Sequence, residues 1–333
     1  MALIKKCIAE GTRVYVLLRS ASNRRDRIMK LMDESDLVQV IDGDLSDFKE
    51  LCSRNTVNIT IDAFYHFAWA GTFGDSRNNM ELQAKNEEYA LDAVRLACKM
   101  GAKVFIGAGS QAEYGRVEGM LTPNLPTNPE NGYGIYKCRA GASTRELAKS
   151  LGMGHVWTRI LSVYGPYDGK DTMIMATIAK LLRGEKPSLT KGEQIWDYLY
   201  SEDAAEAMYL IGESRVSKCR KDLSTTENLK TVNITRASKN AEDLSEKQNE
   251  TLSPIYVIGS GIGRPLREYI EIMRDAIDPS LPLGFGEVPY GPKQVMHLEA
   301  DISKLTEDTG FKPRTNFEDG IRKTIEYVRR ETK

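Results

Sequence analysis

A chain of 333 residues with a net charge of −1 and no basic stripe is longer than one hydrophobic core usually serves and offers no electrostatic footprint for nucleic acid or an anionic membrane. Five cysteines, Cys7, Cys52, Cys98, Cys138 and Cys219, are odd in number and form no CxxC pair. The three histidines, His66, His155 and His297, are dispersed, so neither a disulfide framework nor a metal centre is expected. The opening Met1 to Ile8 is too short and too interrupted by lysines for a secretory signal, and no run of about 18 apolar residues occurs, which points to a soluble cytoplasmic protein of two lobes.

Residues 2–10 have helical spacing and Gly11 is a plausible stop; residues 13–18 (RVYVLL) then suit a buried strand. Further strands are expected over 38–41 and 61–67, a helix over about 80–100, and a strand at 103–106 that runs into the turn-rich Gly109-Ser110-Gln111-Ala112-Glu113-Tyr114-Gly115. A helix continues past Lys137 to about Ser150, and a strand over 155–161 leads to Tyr164-Gly165-Pro166. Helix at 172–184, strand at 196–200 and helix at 202–211 follow. Residues 214–253 are polar and poor in large apolar side chains, and read as a mobile surface insertion. Its Asn233-Ile234-Thr235 and Asn249-Glu250-Thr251 match the glycosylation pattern, without meaning in a cytoplasmic protein.

A strand at 255–258, the turn Gly259-Ser260-Gly261-Ile262-Gly263 and a helix over 265–276 imitate a dinucleotide site, but the spacing is GxGxG rather than GxGxxG, and a substrate-lobe turn is expected. The chain ends through 301–304 and 310–313 into a terminal helix from about Phe317. Strands alternating with helices imply a parallel α/β sheet with ligands at the strands' carboxyl ends.

Tyr133 and Lys137 stand four residues apart, on one helix face, and Ser110 lies upstream in its turn. A free phenol titrates near pH ~10, so proton exchange near neutrality needs a shift of roughly 3 units, which neighbouring cations can supply. Lys137 would tune the phenol and Ser110 would hydrogen-bond a substrate oxygen on which charge develops.

Ser110, Tyr133 and Lys137, with Asp44-Leu45, His66-Phe67-Ala68, Asn86, Arg159 and Tyr164-Gly165-Pro166, resemble the extended short-chain dehydrogenase/reductase family of nucleotide-sugar epimerases, dehydratases and reductases. The resemblance implies a Rossmann-like, doubly wound parallel sheet over 1–165 that binds NAD(P), and a smaller C-terminal substrate lobe over 166–333, with 196–211 packing back on the first domain. Members of that family carry a first strand and a GxxGxxG loop before the helix on which this sequence opens. By resemblance, then, the first strand and the phosphate-binding turn are missing, at a cost of about 4–6 kcal/mol in cofactor binding from two or three lost charge-assisted hydrogen bonds.

The same resemblance places Asp44 and Leu45 at the adenine, lines the cofactor cleft with Phe67, Ala68 and Trp69, and lets Asn86 brace the strand–helix crossing. Leu18 stands where an acid would hold the free ribose hydroxyl and Arg19 follows it, with Arg24 and Arg25 nearby; an arginine there suits the 2′-phosphate of NADP, with NAD as the alternative cofactor. Gln111 and Ala112 replace the acidic pair of a dehydratase. The implied reaction is reduction by NADPH of a 4-keto nucleotide-activated deoxy sugar, of the kind made for bacterial surface polysaccharides. An NAD-dependent epimerase and a truncated, non-catalytic relative that binds a nucleotide sugar or a partner subunit are the alternatives. Ser162, Trp196 and Gly291 stand at substrate positions that hold an asparagine and two arginines in several relatives, and Lys293 could supply part of the lost phosphate contact. A homodimer through the helices at 80–100 and 133–150 is implied, with Ala90, Val94 and Leu147 as candidate contacts.

Overall fold

The computed structural model describes residues 1–22, 25–53, 59–229 and 253–331. Arg24 and residues 230–252, with both glycosylation-like triplets, lie outside them. The first half alternates helix and strand: α1 (Ala2–Ala9), β1 (Val14–Leu18), α2 (Arg25–Glu34), β2 (Val38–Asp42), α3 (Phe48–Ser53), β3 (Ala63–His66), α4 (Met80–Lys99), β4 (Val104–Ser110), α5 (Gly132–Ser150) and β5 (Gly154–Ile160). The next segments are β6 (Ser162–Tyr164), α6 (Met173–Leu182), β7 (Ser188–Leu189), β8 (Ile195–Tyr200), α7 (Ser201–Leu229), β9 (Ile255–Ile258) and β10 (Gly263–Pro265). The chain closes with α8 (Leu266–Ile277), β11 (Gly284–Phe285), β12 (His297–Leu298), α9 (Ser303–Thr309) and α10 (Phe317–Glu331).

Two parallel sheets carry the first half. β3, β4, β5 and β9 form one, in that order, and β1 and β2 pair separately, from Val14 opposite Val38 to Leu18 opposite Asp42. All seven residues of β4 are buried, as a strand covered on both faces should be. β1 and β3 each pair on one side only among the described residues, and β1 is only half-buried along its whole length. On one face Ala93, Val94, Leu96 and Ala97 of α4 pack with Phe105, Ala148 and the α3 residues Phe48 and Leu51. On the other, Ala207, Met208 and Ile211 of α7 cover Val104, Ile106, Val156 and Tyr256.

The C-terminal lobe is built on β8, which pairs antiparallel with β10 and parallel with β6 and β12. Its core gathers Tyr164, Ile174, Ile178, Tyr200, Tyr269, Met273, Phe317 and Ile321, drawn from α6, α8, α10 and the strands between them.

Two sequence expectations change. The polar stretch expected to begin at Ser214 continues α7 as helix to Leu229: Val216 is buried in the core, and Arg215 Nη2 donates to Asp308 Oδ2 at 3.0 Å and also contacts the Tyr256 hydroxyl. A buried, paired arginine supplies what the apolar count lacked. Ala90 and Val94 are fully buried within the chain, facing α5 and the sheet, and are not available to a second copy. Among the described residues no helix is long and apolar enough to cross a membrane.

Candidate active site

Ser110 ends β4 at its carboxyl edge and caps the short 3-10 turn of Gln111–Glu113. Its Oγ accepts the Ala112 N–H at 3.2 Å, and Glu113 Oε1 reaches back to accept the Ser110 N–H at 2.8 Å. This reciprocal cap is visible in the sequence as Ser-x-x-Glu, yet sequence reasoning passed over Glu113. The same carboxylate accepts Trp157 Nε1 at 3.0 Å and, through Oε2, Arg159 Nε at 3.0 Å. Glu113 is buried, and three donors around one carboxylate satisfy a charge that would otherwise be costly there. Glycine at 107 and 109 makes the arrangement possible, because a methyl group at either would overlap the Trp157 indole.

Tyr133 and Lys137 lie on the first two turns of α5, whose N-cap Asn131 accepts the Gly134 N–H at 2.8 Å. The Ser110 side chain lies near the Tyr133 phenol and favours its ionised form. Lys137 Nζ donates to the Ala108 carbonyl at 2.6 Å and sits 3.7 Å from the centre of the Trp69 ring and 5.7 Å from that of Tyr133. The three residues read from the sequence therefore meet. Burial dominates both ionisations. It pushes the Lys137 ammonium down to about 7, against partial compensation from Glu113. It raises the Tyr133 phenol above its usual range, opposed by the nearby Ser110 side chain and the Arg77 charge.

Arg77 had no sequence signal. The loop of residues 69–79 brings it to Tyr133, with its guanidinium carbon 4.4 Å from the ring centre. Gln83 and Asn86, one turn apart on α4, hold that loop. Asn86 Oδ1 accepts the Ala70 N–H at 2.8 Å and its amide donates to Ala70 O at 2.9 Å, while Gln83 Oε1 accepts Trp69 Nε1 at 2.7 Å. Phe67 and Ala68 are exposed at the end of β3; Phe67 stacks on Tyr65. His66 is buried between Phe48 and Phe105, which pushes its imidazole down to about 3.

At the ends of β1 and β2, the Gly43 N–H donates to Leu18 O at 3.2 Å, placing Arg19 beside the turn of Asp44 and Leu45. Asp44 Oδ1 accepts the Leu45 N–H at 2.7 Å, and Arg19 is exposed. In the second lobe Trp196 Nε1 donates to Ser162 Oγ at 2.8 Å. Lys293 is exposed and, among the described residues, makes no hydrogen bond or ion pair with either. The glycine turn at 259–263 has its donors committed: Asp197 Oδ1 accepts Ser260 N and Oγ, both at 2.7 Å, and Oδ2 accepts Gly261 N at 3.0 Å and Ala300 N at 3.1 Å. A carboxylate of the chain itself fills the place an anion would take.

A parallel sheet flanked by helices, with serine, tyrosine and lysine gathered at its carboxyl edge, defines a Rossmann-type fold. The chain belongs to the NAD dependent epimerase/dehydratase family, whose sequence model matches residues 1–223. Among curated relatives, a trifunctional UDP-glucose 4,6-dehydratase/UDP-4-keto-6-deoxy-D-glucose 3,5-epimerase/UDP-4-keto-L-rhamnose-reductase of Arabidopsis thaliana is 24% identical over 303 residues, covering 86% of this chain and 38% of the relative. The dTDP-glucose 4,6-dehydratase of Shigella flexneri is 26% identical over 215 residues, 62% of this chain and 50% of the relative. The chain thus spans half or less of the length of these relatives.

Among solved structures, the UDP-N-acetylglucosamine 4-epimerase from Methanobrevibacter ruminantium in complex with UDP-N-acetylmuramic acid superposes with a TM-score of 0.78 at 20% identity, covering 99% of this chain and 94% of that one. The dTDP-glucose 4,6-dehydratase from Streptomyces venezuelae with NAD bound gives 0.74 at 20%, covering 98% and 92%.

Proposed function

We propose that the chain is an NADP(H)-dependent oxidoreductase that reduces the 4-keto group of a nucleotide-activated deoxy sugar. The observation that carries this reading is the buried Lys137 ammonium, 5.7 Å from the centre of the Tyr133 ring and bonded to the Ala108 carbonyl in the strand that ends at Ser110. The residues fit a dinucleotide at two places. The exposed Arg19, with no carboxylate partner among the described residues, suits a phosphate beside the Asp44–Leu45 turn, and Tyr133 with Lys137 suits the nicotinamide ribose. Phe67, Ala68, Trp69 and Asn86 would shape the cleft between them. The dinucleotide supplies the hydride.

The chain's own residues manage the proton. Ser110 orients the carbonyl oxygen, Tyr133 hands its phenolic proton to that oxygen as charge builds, and the nearby cations stabilise the phenolate left behind. The nucleotide sugar would lie against the second lobe at Ser162, Trp196 and Lys293. Glu113 is held by Arg159, Trp157 and the Ser110 N–H, so it is not a free acid for dehydration. A second reading, NAD-dependent 4-epimerisation, draws support from the epimerase structures that the chain resembles.

The two readings differ in whether cofactor is consumed. NADPH loss is followed spectrophotometrically with 4-keto CDP-, dTDP-, GDP- and UDP-sugars, and sugar products are analysed in parallel. Reduction predicts steady NADPH loss with one of them, and Tyr133→Phe lowers the rate by about 10²–10⁴-fold. Epimer formation without NADPH loss selects the second reading. Neither product from any of the four sugars would favour a non-catalytic relative.

A further inference from the structure

The loop of residues 70–79 is anchored at both ends. Gln83, fully buried, sends its amide to Gly71 O at 2.9 Å and to Ser76 O at 3.0 Å. At the far end the Gly132 N–H donates to Asn78 Oδ1 at 3.3 Å, and a methyl group at Gly132 would come within 2.9 Å of the Arg77 carbonyl and 2.8 Å of the Met80 sulfur. A glycine at the start of α5 therefore lets the loop lie flat against the helix that carries Tyr133. Arg77 is fixed as a result: its Nη1 donates to Thr72 O at 3.1 Å, and its guanidinium carbon rests 4.4 Å from the centre of the Tyr133 ring. Among the described residues no carboxylate pairs with it, so its charge is not cancelled locally.

We propose that Arg77 is a positioning residue for Tyr133, holding the ring by its face and supplying the permanent positive charge against which the phenolate forms. The inference rests on the reading of Tyr133 as proton donor and deepens it. Four other groups face the phenol: Ser110 from the end of β4, Glu113 from the turn after it, Lys137 from the same helix, and Trp69 edge-on at 6.2 Å. Glu113 is an anion and opposes ionisation. The Lys137 ammonium, pushed down to about 7, is charged only part of the time near neutrality. A guanidinium keeps its proton at any pH the fold survives, and a cation on an aromatic face is attracted to the ring before the phenol ionises and more strongly afterwards.

The test uses a polyfluorinated tyrosine placed at position 133, whose phenol ionises at lower pH than that of tyrosine. Its fluorine resonance is followed against pH in the full chain without cofactor or sugar. Arg77→Gln should raise the midpoint by about one pH unit, a tenfold change in the ionisation constant, and Arg77→Lys should recover at least half of that change. Should Arg77→Gln fail to fold, Arg77→Met is the second neutral variant, read by the same criterion. A midpoint that stays put in the folded neutral variant overturns the proposal. Because the titration needs no substrate, a shifted midpoint in a protein that turns over no nucleotide sugar refutes the proposed reaction and leaves the role of Arg77 standing.

Discussion

Lys137 keeps an ammonium where only 3% of the residue meets solvent, with the Ala108 carbonyl and the Trp69 face for company. Its folded pKa, about 7, lies below the 10.5 of an exposed lysine, so the unfolded chain binds the extra proton between those values. The penalty to the fold is full below pH 7 and fades as the pH rises toward 10.5. Lys137→Met should therefore be more stable than the parent at pH 6, by about 1–3 kcal/mol, and should lose that advantage by pH 10, as read by urea unfolding, while turnover is lost. A variant less stable at pH 6 would show that the two contacts of Nζ outweigh its desolvation. The pairing of Tyr133 with Lys137 was legible in the sequence because a helix sets the i to i+4 distance by itself. Arg77 was not, because nothing local links it to Tyr133: the contact exists only once Gln83 and Gly132 have pressed one segment against the other.

Elements, not single side chains, fix the serine turn. β4, β5 and α5 close around the Trp157 indole, with glycine at 107, 109 and 141 giving it room, and the indole N–H and the Arg159 guanidinium then hold the Glu113 carboxylate beneath Ser110. Glu113→Ala removes the acceptor from three buried donors and leaves Arg159 without its ion-pair partner. It should cost about 3–5 kcal/mol, measured by thermal or chemical unfolding, and a loss under 1 kcal/mol would show that the ion pair does not hold the turn. α2 and α3 were not expected, whereas the strands of the first half and the helices α1, α4 and α5 followed from alternating apolar runs and glycine stops. The long helix α7 did not, because counting apolar residues misses a segment whose anchor is polar: Arg215 is buried against Asp308 and Tyr256.

At the scale of the molecule the parallel α/β class was legible, since apolar runs such as residues 13–18 alternate with helical segments. The division of the sheet was not legible in the apolar runs, because one like β1 reads as fully covered whether or not it gains neighbours on both sides, and here it is half-buried with a partner on one; it was expected only from the resemblance, in which a central first strand would lie between these neighbours. Amides of β4 and β5, inside the four-stranded sheet, can exchange only by opening a structure packed on both faces. Those of β1 and β2 are held by each other and by the helices beside them. Hydrogen exchange followed by mass spectrometry should release the β1–β2 amides well before those of β4 and β5. Equal protection in the two sheets would mean that the helices bind them into one cooperative unit.

The unpaired sides of β1 and β3 bear on how the purified protein behaves when crowded. Neither strand contains proline or lysine, the residues that usually guard an open margin. Among the described residues, each pairs with a strand on one side only and carries valine, leucine, phenylalanine or tyrosine. Such a margin welcomes another backbone as readily as water, so precipitation at high concentration would begin there while the face that carries Ser110, Tyr133 and Lys137 stayed intact.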